Sequence, residues 1–366
     1  MPGGPAGPKE RKPSLTSRLG NAMFGKKKEP TPPPPRQQNR RLSVSGDTHQ
    51  SPIGDPSTAG TVTDKADNQW LKYFSLSNAG YEPDGTKKTN QDAFISISEF
   101  GDSTVSVFGV FDGHGSCGHF VSAYVKREFP KALSKSLLKS ESAKAEPDLK
   151  AIGKLLNDAF VGVNNRLEVD KSVDSSLSGT TAVAGCIVGK SGCRRVVMGN
   201  AGDSRAIIGY EDEEGNYKVK ELSDDHKPDR EDEKARVLSY GGRVEPLIDE
   251  DGEPIGPHRV WLPNMMLPGL AMARSIGDDI AATVGVHAVP EIMTYELTDK
   301  DKFMVIASDG VWEFLSNEQV VEMVRQCGDD GERAAREVCA RSYHEWRAEE
   351  EVVDDITCVV VHFKQS

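Results

Sequence analysis

The chain has 366 residues, 37% of them hydrophobic and 28% charged, a composition that allows a sizeable core and is ordinary for a soluble protein. Net charge is −12; residues 1–66 hold 11 Lys+Arg against 5 Asp+Glu, so that stretch carries +6 and the rest −18, which argues against nucleic acid as a substrate. No apolar run approaches the roughly 18 residues of a membrane-spanning helix, no apolar signal stretch opens the chain, and Pro2 stands where myristoylation needs Gly.

Residues 1–66 are rich in Pro, Gly, Ser and Lys/Arg, include Thr31-Pro32-Pro33-Pro34-Pro35, and show no hydrophobic period. They read as a disordered, basic, Pro-rich tail. Within it, Arg40-Arg41-Leu42-Ser43 sets two guanidinium groups before a serine, so Ser43 is a candidate phosphosite for a basophilic kinase. Residues 67–366 read as one catalytic domain. Runs rich in Val, Ile and Phe predict strands over 93–98, 104–111, 181–188, 195–199, 206–210, 302–307 and 357–363. Helical spacing predicts helices over 117–129, with Phe120, Tyr124 and Val125 on one face, and over 151–167, 231–240, 317–326 and 332–346. Strands cluster instead of alternating with helices, which favours antiparallel sheets. The expected fold is α+β, two stacked antiparallel β-sheets flanked by helical layers (an α-β-β-α sandwich). The stretch from Pro246 to Pro268 is dense in Pro and Gly without a period, and is expected to be a long surface excursion. The six cysteines form no C-x-x-C pair, which points to reduced thiols in a cytoplasmic or nuclear protein. A monomer is the default expectation.

Four aspartate-bearing signatures stand at the ends of apolar runs: Val110-Phe111-Asp112-Gly113-His114-Gly115, Gly202-Asp203-Ser204-Arg205, Ser308-Asp309-Gly310-Val311-Trp312 and Asp354-Asp355-Ile356-Thr357. Taken singly, an Asp-Gly pair most often marks a turn. Together, carboxylates at several strand ends can converge on one mouth, and hard divalent cations are the usual reason for like charges to gather. Gly113 lets the backbone approach a cation closely, so its carbonyl is a further oxygen ligand, and His114 beside it can donate a proton. No C-x5-R loop suggests a cysteine nucleophile, and no G-x-x-x-x-G-K-[ST] loop suggests a nucleotide phosphate cradle.

The chain resembles the type 2C metal-dependent serine/threonine protein phosphatases, specifically plant- or protist-like members. The resemblance rests on Lys88-Thr89-Asn90-Gln91-Asp92, Val110–Gly115, Ser178–Ala182, Gly202–Arg205, Asp225-His226-Lys227-Pro228, Gly241–Val244, Ala271–Asp278, Ala307–Trp312 and Asp354–Val360, in family order. It implies hydrolysis of phosphoserine and phosphothreonine in phosphorylated proteins. The agent would be a water activated by two Mg²⁺ or Mn²⁺ ions, without a phosphoenzyme. It assigns Asp112 as bridging ligand, Gly113 as carbonyl ligand, Asp309 and Asp354 as further ligands, and His114 as the group that protonates the leaving oxygen. A third, weaker metal site in some members matches Asp203 and Glu313 together with Asp309. Gln91, Asp92 and Thr181 fall in supporting positions. Gln91 stands where many animal members have Glu, Lys87 or Lys88 replaces a phosphate-contacting Arg, Glu313 replaces an Asp, and Arg259 matches an arginine near the substrate. The alternative is a catalytically silent member serving as a binding or scaffold module, which would be expected to lack a core ligand.

Overall fold

The computed structural model describes residues 61–101, 104–137, 148–189, 193–249 and 251–364; most of the Pro-rich tail, with Ser43, lies outside the described residues. In chain order the elements are β1 (Thr61–Asp67), β2 (Leu71–Asn78), β3 (Ala93–Ile97), β4 (Val105–Phe111), β5 (Gly113–His114), α1 (Gly118–Leu137), α2 (Leu149–Val169), β6 (Gly179–Thr180), β7 (Ala182–Val188), β8 (Arg195–Ala201), β9 (Arg205–Glu211) and β10 (Tyr217–Glu221). They continue with α3 (Glu231–Ser239), β11 (Arg243–Ile248), β12 (Pro254–Trp261), β13 (Pro268–Leu270), β14 (Ile276–Gly277), α4 (Asp279–Ala282), β15 (Glu291–Glu296), β16 (Asp301–Ala307), α5 (Asp309–Trp312), α6 (Asn317–Gln326), α7 (Gly331–Glu349) and β17 (Ile356–Phe363).

One sheet has the order β1-β2-β17-β16-β9-β10 and the other β15-β8-β7-β4-β3, with antiparallel pairing throughout. The central strands β4, β7, β16 and β17 read as continuous apolar runs because both of their faces are buried. Tyr73, Met304, Ile306 and Val359 meet Phe108, Val110, Val183 and Met198 between the sheets. On the alternate positions, Phe74, Val305 and Val360 pack on Val320 and Val324 of α6 and Val338 of α7. On the other side, Val107, Phe111, Ala184 and Val197 pack on Val125 and Phe129 of α1 and Leu156 and Phe160 of α2. The period of two thus sends each strand's side chains alternately to a helical layer and to the opposite sheet. This is the α-β-β-α sandwich. Helix α6 starts where a capping box forms: Ser316 Oγ accepts the Gln319 N–H and the Gln319 side chain accepts the Ser316 N–H.

Three local expectations are corrected. Residues 61–66 belong to strand β1, paired along its length with β2, and not to a disordered tail. Phe120 lies on the open side of α1 and is 50% exposed, whereas Tyr124 and Val125 are buried. The Pro- and Gly-dense stretch forms a three-stranded sheet, β11-β12-β13, over its own core of Val237, Val244, Val260, Leu270 and Val284. The prolines fit because Pro246 lies at the register shift between Glu245 and Leu247, while Pro254 and Pro268 open their strands.

Candidate active site

The pairing register gathers the acidic signatures at one end of the sandwich. Ala307 pairs with both Cys358 and Arg205, so the end of β16 and the starts of β17 and β9 lie together, with Asp309, Asp354 and Asp203 just beyond them. In the facing sheet Phe111 pairs with Ala93 and Ala182 with Ala201, which brings Asp112 and Asp92 to the same end. Asp203 lies in the turn that carries the chain from one sheet to the other.

The carboxyl groups feel one another. Burial pushes Asp112 well above the usual carboxylate range, and the charges of Asp309, Asp92 and Asp354 add to the rise. Asp309 is pushed up to about 7 by burial and by Asp203 and Asp354, although Lys227 pulls it down. Asp92 is raised by burial and by Asp355 and Asp354. Two ammonium groups face this cluster. Lys88 Nζ lies 2.8 Å from Asp354 Oδ1 and Lys227 Nζ 2.6 Å from Asp203 Oδ2. Both remain charged despite burial because of these partners. The Oδ1 atoms of Asp92, Asp203 and Asp309 are buried with no hydrogen-bond partner. Orphaned carboxylate oxygens cost free energy unless something pairs with them. An all-oxygen, acidic donor set of this kind fits a hard divalent cation.

Backbone and side-chain bonds hold the loops that carry these carboxylates. The Asp112 N–H donates to Thr181 Oγ1 at 3.1 Å and the Thr181 N–H to the Asp112 carbonyl at 2.8 Å. Thr181 Oγ1 also bonds Ser204 Oγ at 2.6 Å, next to Asp203. Gly113 is obligatory: a Cβ there would stand 2.5 Å from the carbonyl oxygens of Gln91 and Gly118. Gln91 Nε2 donates to the Gly115 carbonyl at 2.8 Å, and the Gln91 carbonyl accepts from the Gly113 N–H. Asp92 Oδ2 accepts from Ser308 Oγ at 2.8 Å, tying the β3 entry to the Asp309 turn.

The sequence reading assigned no role to three groups that the structure brings to the site. Asp278 Oδ2 lies 2.7 Å from His114 Nε2 and accepts from Ser275 Oγ at 2.5 Å. Its charge and hydrogen bond overcome the effect of burial and raise the His114 pKa. Asp278 sits at φ 55, a left-handed conformation uncommon outside glycine. Asp355, 4% exposed, points away from the mouth. It accepts the N–H of Gly80 and of Gln91, each at 2.7 Å. Lys227 is the third, through Asp203. The signal for all three was membership of the recognised motifs, but a run of polar turn residues does not say which of them faces inward.

The remaining candidates divide. Of the two lysines, Lys88 faces the carboxylates. Lys87 turns away, its Nζ 5.9 Å from the centre of the Tyr81 ring. Arg259 is partly buried near Asp203, donates from Nη1 to the Gly269 carbonyl at 2.7 Å, and leaves Nε without a partner. Glu313 is exposed; its backbone N–H bonds the Asp309 carbonyl, and no described side-chain contact joins it to Asp203. Elsewhere, His226, Glu233 and Glu291 place ligand atoms within 4.8 Å of one another. Glu233 already accepts from Arg236 and Arg274, and Glu291 from Arg230. These guanidinium groups supply the positive charge that a cation would bring, so the cluster is an ion-pair network.

The family model for protein phosphatase 2C matches residues 79–351. A probable protein phosphatase 2C 35 of Arabidopsis thaliana is 37% identical over 328 residues, covering 85% of this chain and 89% of the relative. A probable protein phosphatase 2C 12 of Oryza sativa subsp. japonica is 35% identical over 318 residues, covering 76% and 79%. The crystal structure of a serine-threonine phosphatase 2C from Toxoplasma gondii shares the fold, with TM-score 0.71, 23% identity and coverage of 83% of this chain and 99% of that one. Dependence on Mg²⁺ or Mn²⁺ is general in this family, and the carboxylate mouth offers the donors for it. The chain belongs to the protein phosphatase 2C family of protein serine/threonine phosphatases.

Proposed function

We propose that the mouth formed by Asp112, Gly113, Asp309 and Asp354 hydrolyses phosphoserine and phosphothreonine in proteins directly, with two divalent cations and no phosphoenzyme. The observation that carries this reading is the charge balance of the mouth. Five carboxyl groups (Asp92, Asp112, Asp203, Asp309 and Asp354) gather against only two ammonium groups, Lys88 and Lys227. The uncompensated negative charge, with the partnerless Oδ1 atoms of Asp92, Asp203 and Asp309, is what divalent cations would neutralise. When bound, such ions lower the pKa of water and offset the charge of the phosphoryl oxygens. Asp112, Asp309, Asp354 and the Gly113 carbonyl would hold them. Asp203 offers a donor for a further, weaker ion, which would compete with Lys227 for it.

The chain's own residues do the rest. Lys88 brings a positive charge to the rim beside Asp354, where an incoming phosphate dianion would otherwise meet only carboxylates. His114 is oriented by Asp278, which engages Nε2 and favours the imidazolium. Nδ1 is the nitrogen without a hydrogen-bond partner, and it is buried, so a bound substrate must uncover it before it can donate. As water oxygen bonds to phosphorus and the P–O ester bond breaks, the Nδ1 proton passes to the departing serine or threonine oxygen.

The reading is tested by Mn²⁺-dependent phosphate release from a phosphothreonine peptide. Asp112→Ala and Asp309→Ala should each abolish it; undiminished turnover in either would sink the assignment. His114→Ala and Asp278→Asn should slow the peptide by about 10²-fold or more. An aryl phosphate, whose leaving group departs without a proton, should be slowed far less. Equal slowing on both substrates would remove the proton-donor role.

A further inference from the structure

Beside the mouth, on the far side of Lys87, lies a cavity of about 410 Å³ between the starts of β1 and β17, the end of β2 and helix α7. Its ionisable walls are Lys87, Arg336, Cys339, Tyr81, Tyr343 and His344, with no Asp or Glu among the lining residues. That is unusual for a chain with 57 Asp+Glu against 45 Lys+Arg. No carboxylate among the described residues pairs with Lys87. Arg336 reaches Glu332 at 2.9 Å in an exposed pair, and its guanidinium lies 5.6 Å from the centre of the Phe74 ring. Tyr81 and Tyr343 meet edge to face at 5.7 Å and form an aromatic wall. The site is thus cationic at its rim and aromatic inside, a combination that takes a carboxylate or an acidic segment with an apolar neighbour.

Position links the cavity to the mouth. Ala79 and Tyr81 line it and flank Gly80, whose N–H is held by Asp355. Val353 lines it next to Asp354, and Lys87 precedes Lys88, which pairs with Asp354. At Val353–Asp354 and at Lys87–Lys88 the two sites are carried by neighbouring residues. An extended peptide advances about 3.3 Å per residue, so a chain with its phosphate at the carboxylates reaches the cavity within a few residues. The segment 1–60, which leads into Thr61 on the cavity wall, is a poor occupant. It carries 10 Lys+Arg against 4 Asp+Glu and would bring positive charge to a positive rim.

We propose that this cavity is a docking subsite for an acidic segment of the phosphoprotein substrate, a few residues from the phosphorylated one. The proposal rests on the phosphatase reading above. The test uses the full chain with Mn²⁺ and a set of phosphothreonine peptides in which one glutamate is moved along either side of the phosphothreonine, each matched to its glutamine counterpart. At one or two neighbouring positions glutamate should lower KM about threefold to tenfold, the size of one partly exposed charge pair. Arg336→Glu should erase that preference, and Tyr343→Ala should weaken it. Turnover of an aryl phosphate by Arg336→Glu should stay within about twofold of the wild type. Equal KM for every glutamate and glutamine pair, or a preference that survives Arg336→Glu, would overturn the subsite. So would a preference that appears only after residues 1–60 are removed, because the tail would then be the occupant. Fluorescence anisotropy of the same acidic peptide lacking its phosphate reads docking without chemistry. Binding that Arg336→Glu abolishes in a protein inert toward aryl phosphate would support the subsite and count against the hydrolytic reading.

Discussion

Asp309 holds its proton far more tightly than an ordinary aspartate, up to about 7, and Asp355 follows, up to about 6, through burial and the charge of Asp354. A carboxyl group whose pKa is higher folded than unfolded favours the folded state at low pH and loses that contribution as pH rises. The metal-free protein should therefore become less stable between pH 4 and 7, where these groups ionise against one another. A divalent cation that binds only the folded, ionised site should reverse the loss. Thermal melts in chelator should show the melting temperature falling across that window. Added Mn²⁺ should raise it strongly near pH 7.5 and little near pH 5. Asp309→Asn removes one repelling charge, so it should flatten the descent and lose most of the Mn²⁺ response. A chelated wild type as stable at pH 7 as at pH 4.5, with Asp309→Asn no different, would contradict the crowding of charge described above. That these carboxylates gather at one end of the sandwich was legible in the sequence. Asp112, Asp203, Asp309 and Asp354 each interrupt or follow an apolar run, and a strand end is where a side chain can leave the core. Asp355 was not, because in Asp354-Asp355 nothing local tells the outward carboxylate from the one that clamps two backbone amides.

At the scale of elements, legibility followed burial. Strands β4, β7, β16 and β17 bury both faces, so each is a solid apolar run and was read to within a residue or two. Strand β1 is Thr61-Val62-Thr63-Asp64-Lys65-Ala66-Asp67, almost wholly exposed and held by backbone pairing to β2 and by polar side-chain contacts such as Asp64 with Tyr73 and Lys65 with Glu332; it has no hydrophobic signature to read. Strand β2 hides its pattern differently, burying Ser75 and Ser77 as hydrogen-bond partners of Ser96 and Thr357. The β11-β12-β13 sheet was masked by prolines at bulges and strand starts, and it depends on a polar anchor that periodicity cannot show. Its neighbour α3 carries Glu233, 0% exposed, which accepts from Arg274 at 2.7 Å and Arg236 at 2.5 Å. Arg236 in turn donates to the carbonyls of Ala273 and Gly285. Burial raises the Glu233 pKa, but the two guanidinium groups outweigh that and hold it down to about 2. Its contribution is complete above the usual glutamate range and is lost as pH falls toward 2, opposite in sign to that of Asp309. Glu233→Gln leaves buried guanidinium charge uncompensated and should cost about 3 kcal/mol, the range for breaking a buried pair. Urea unfolding would measure this, and limited proteolysis should find residues 243–270 cut first. A midpoint unchanged in Glu233→Gln would show that the network does not anchor the sheet.

The body of the molecule is two large antiparallel sheets closed on their outer faces by helices, so the exposed edges of those sheets decide how it behaves at its boundaries. The six-stranded sheet ends in β1 on one side, and β1 is polar and charged, the usual protection for an edge. Beneath it, β2 carries Leu71, Tyr73, Phe74 and Leu76, all buried, and its backbone groups pair with β1 over seven residue pairs from Thr61 with Asn78 to Asp67 with Lys72. The two truncations that bracket this strand should therefore differ. Removing residues 1–60 takes away the basic segment and leaves every described element whole. The melting temperature should hold within about 2 °C, less than a 1 kcal/mol change produces in a domain of this size, and turnover of a phosphothreonine peptide should be unchanged. Removing residues 1–67 uncovers the apolar β2 edge as an open template for another chain. That protein should still release phosphate, because every proposed ligand lies beyond residue 67, but it should scatter light on warming or concentration when the shorter deletion stays clear. Loss of turnover in the shorter deletion would make the tail part of the working enzyme, and a longer deletion that stays monomeric and clear would show that β1 is not what shields the edge.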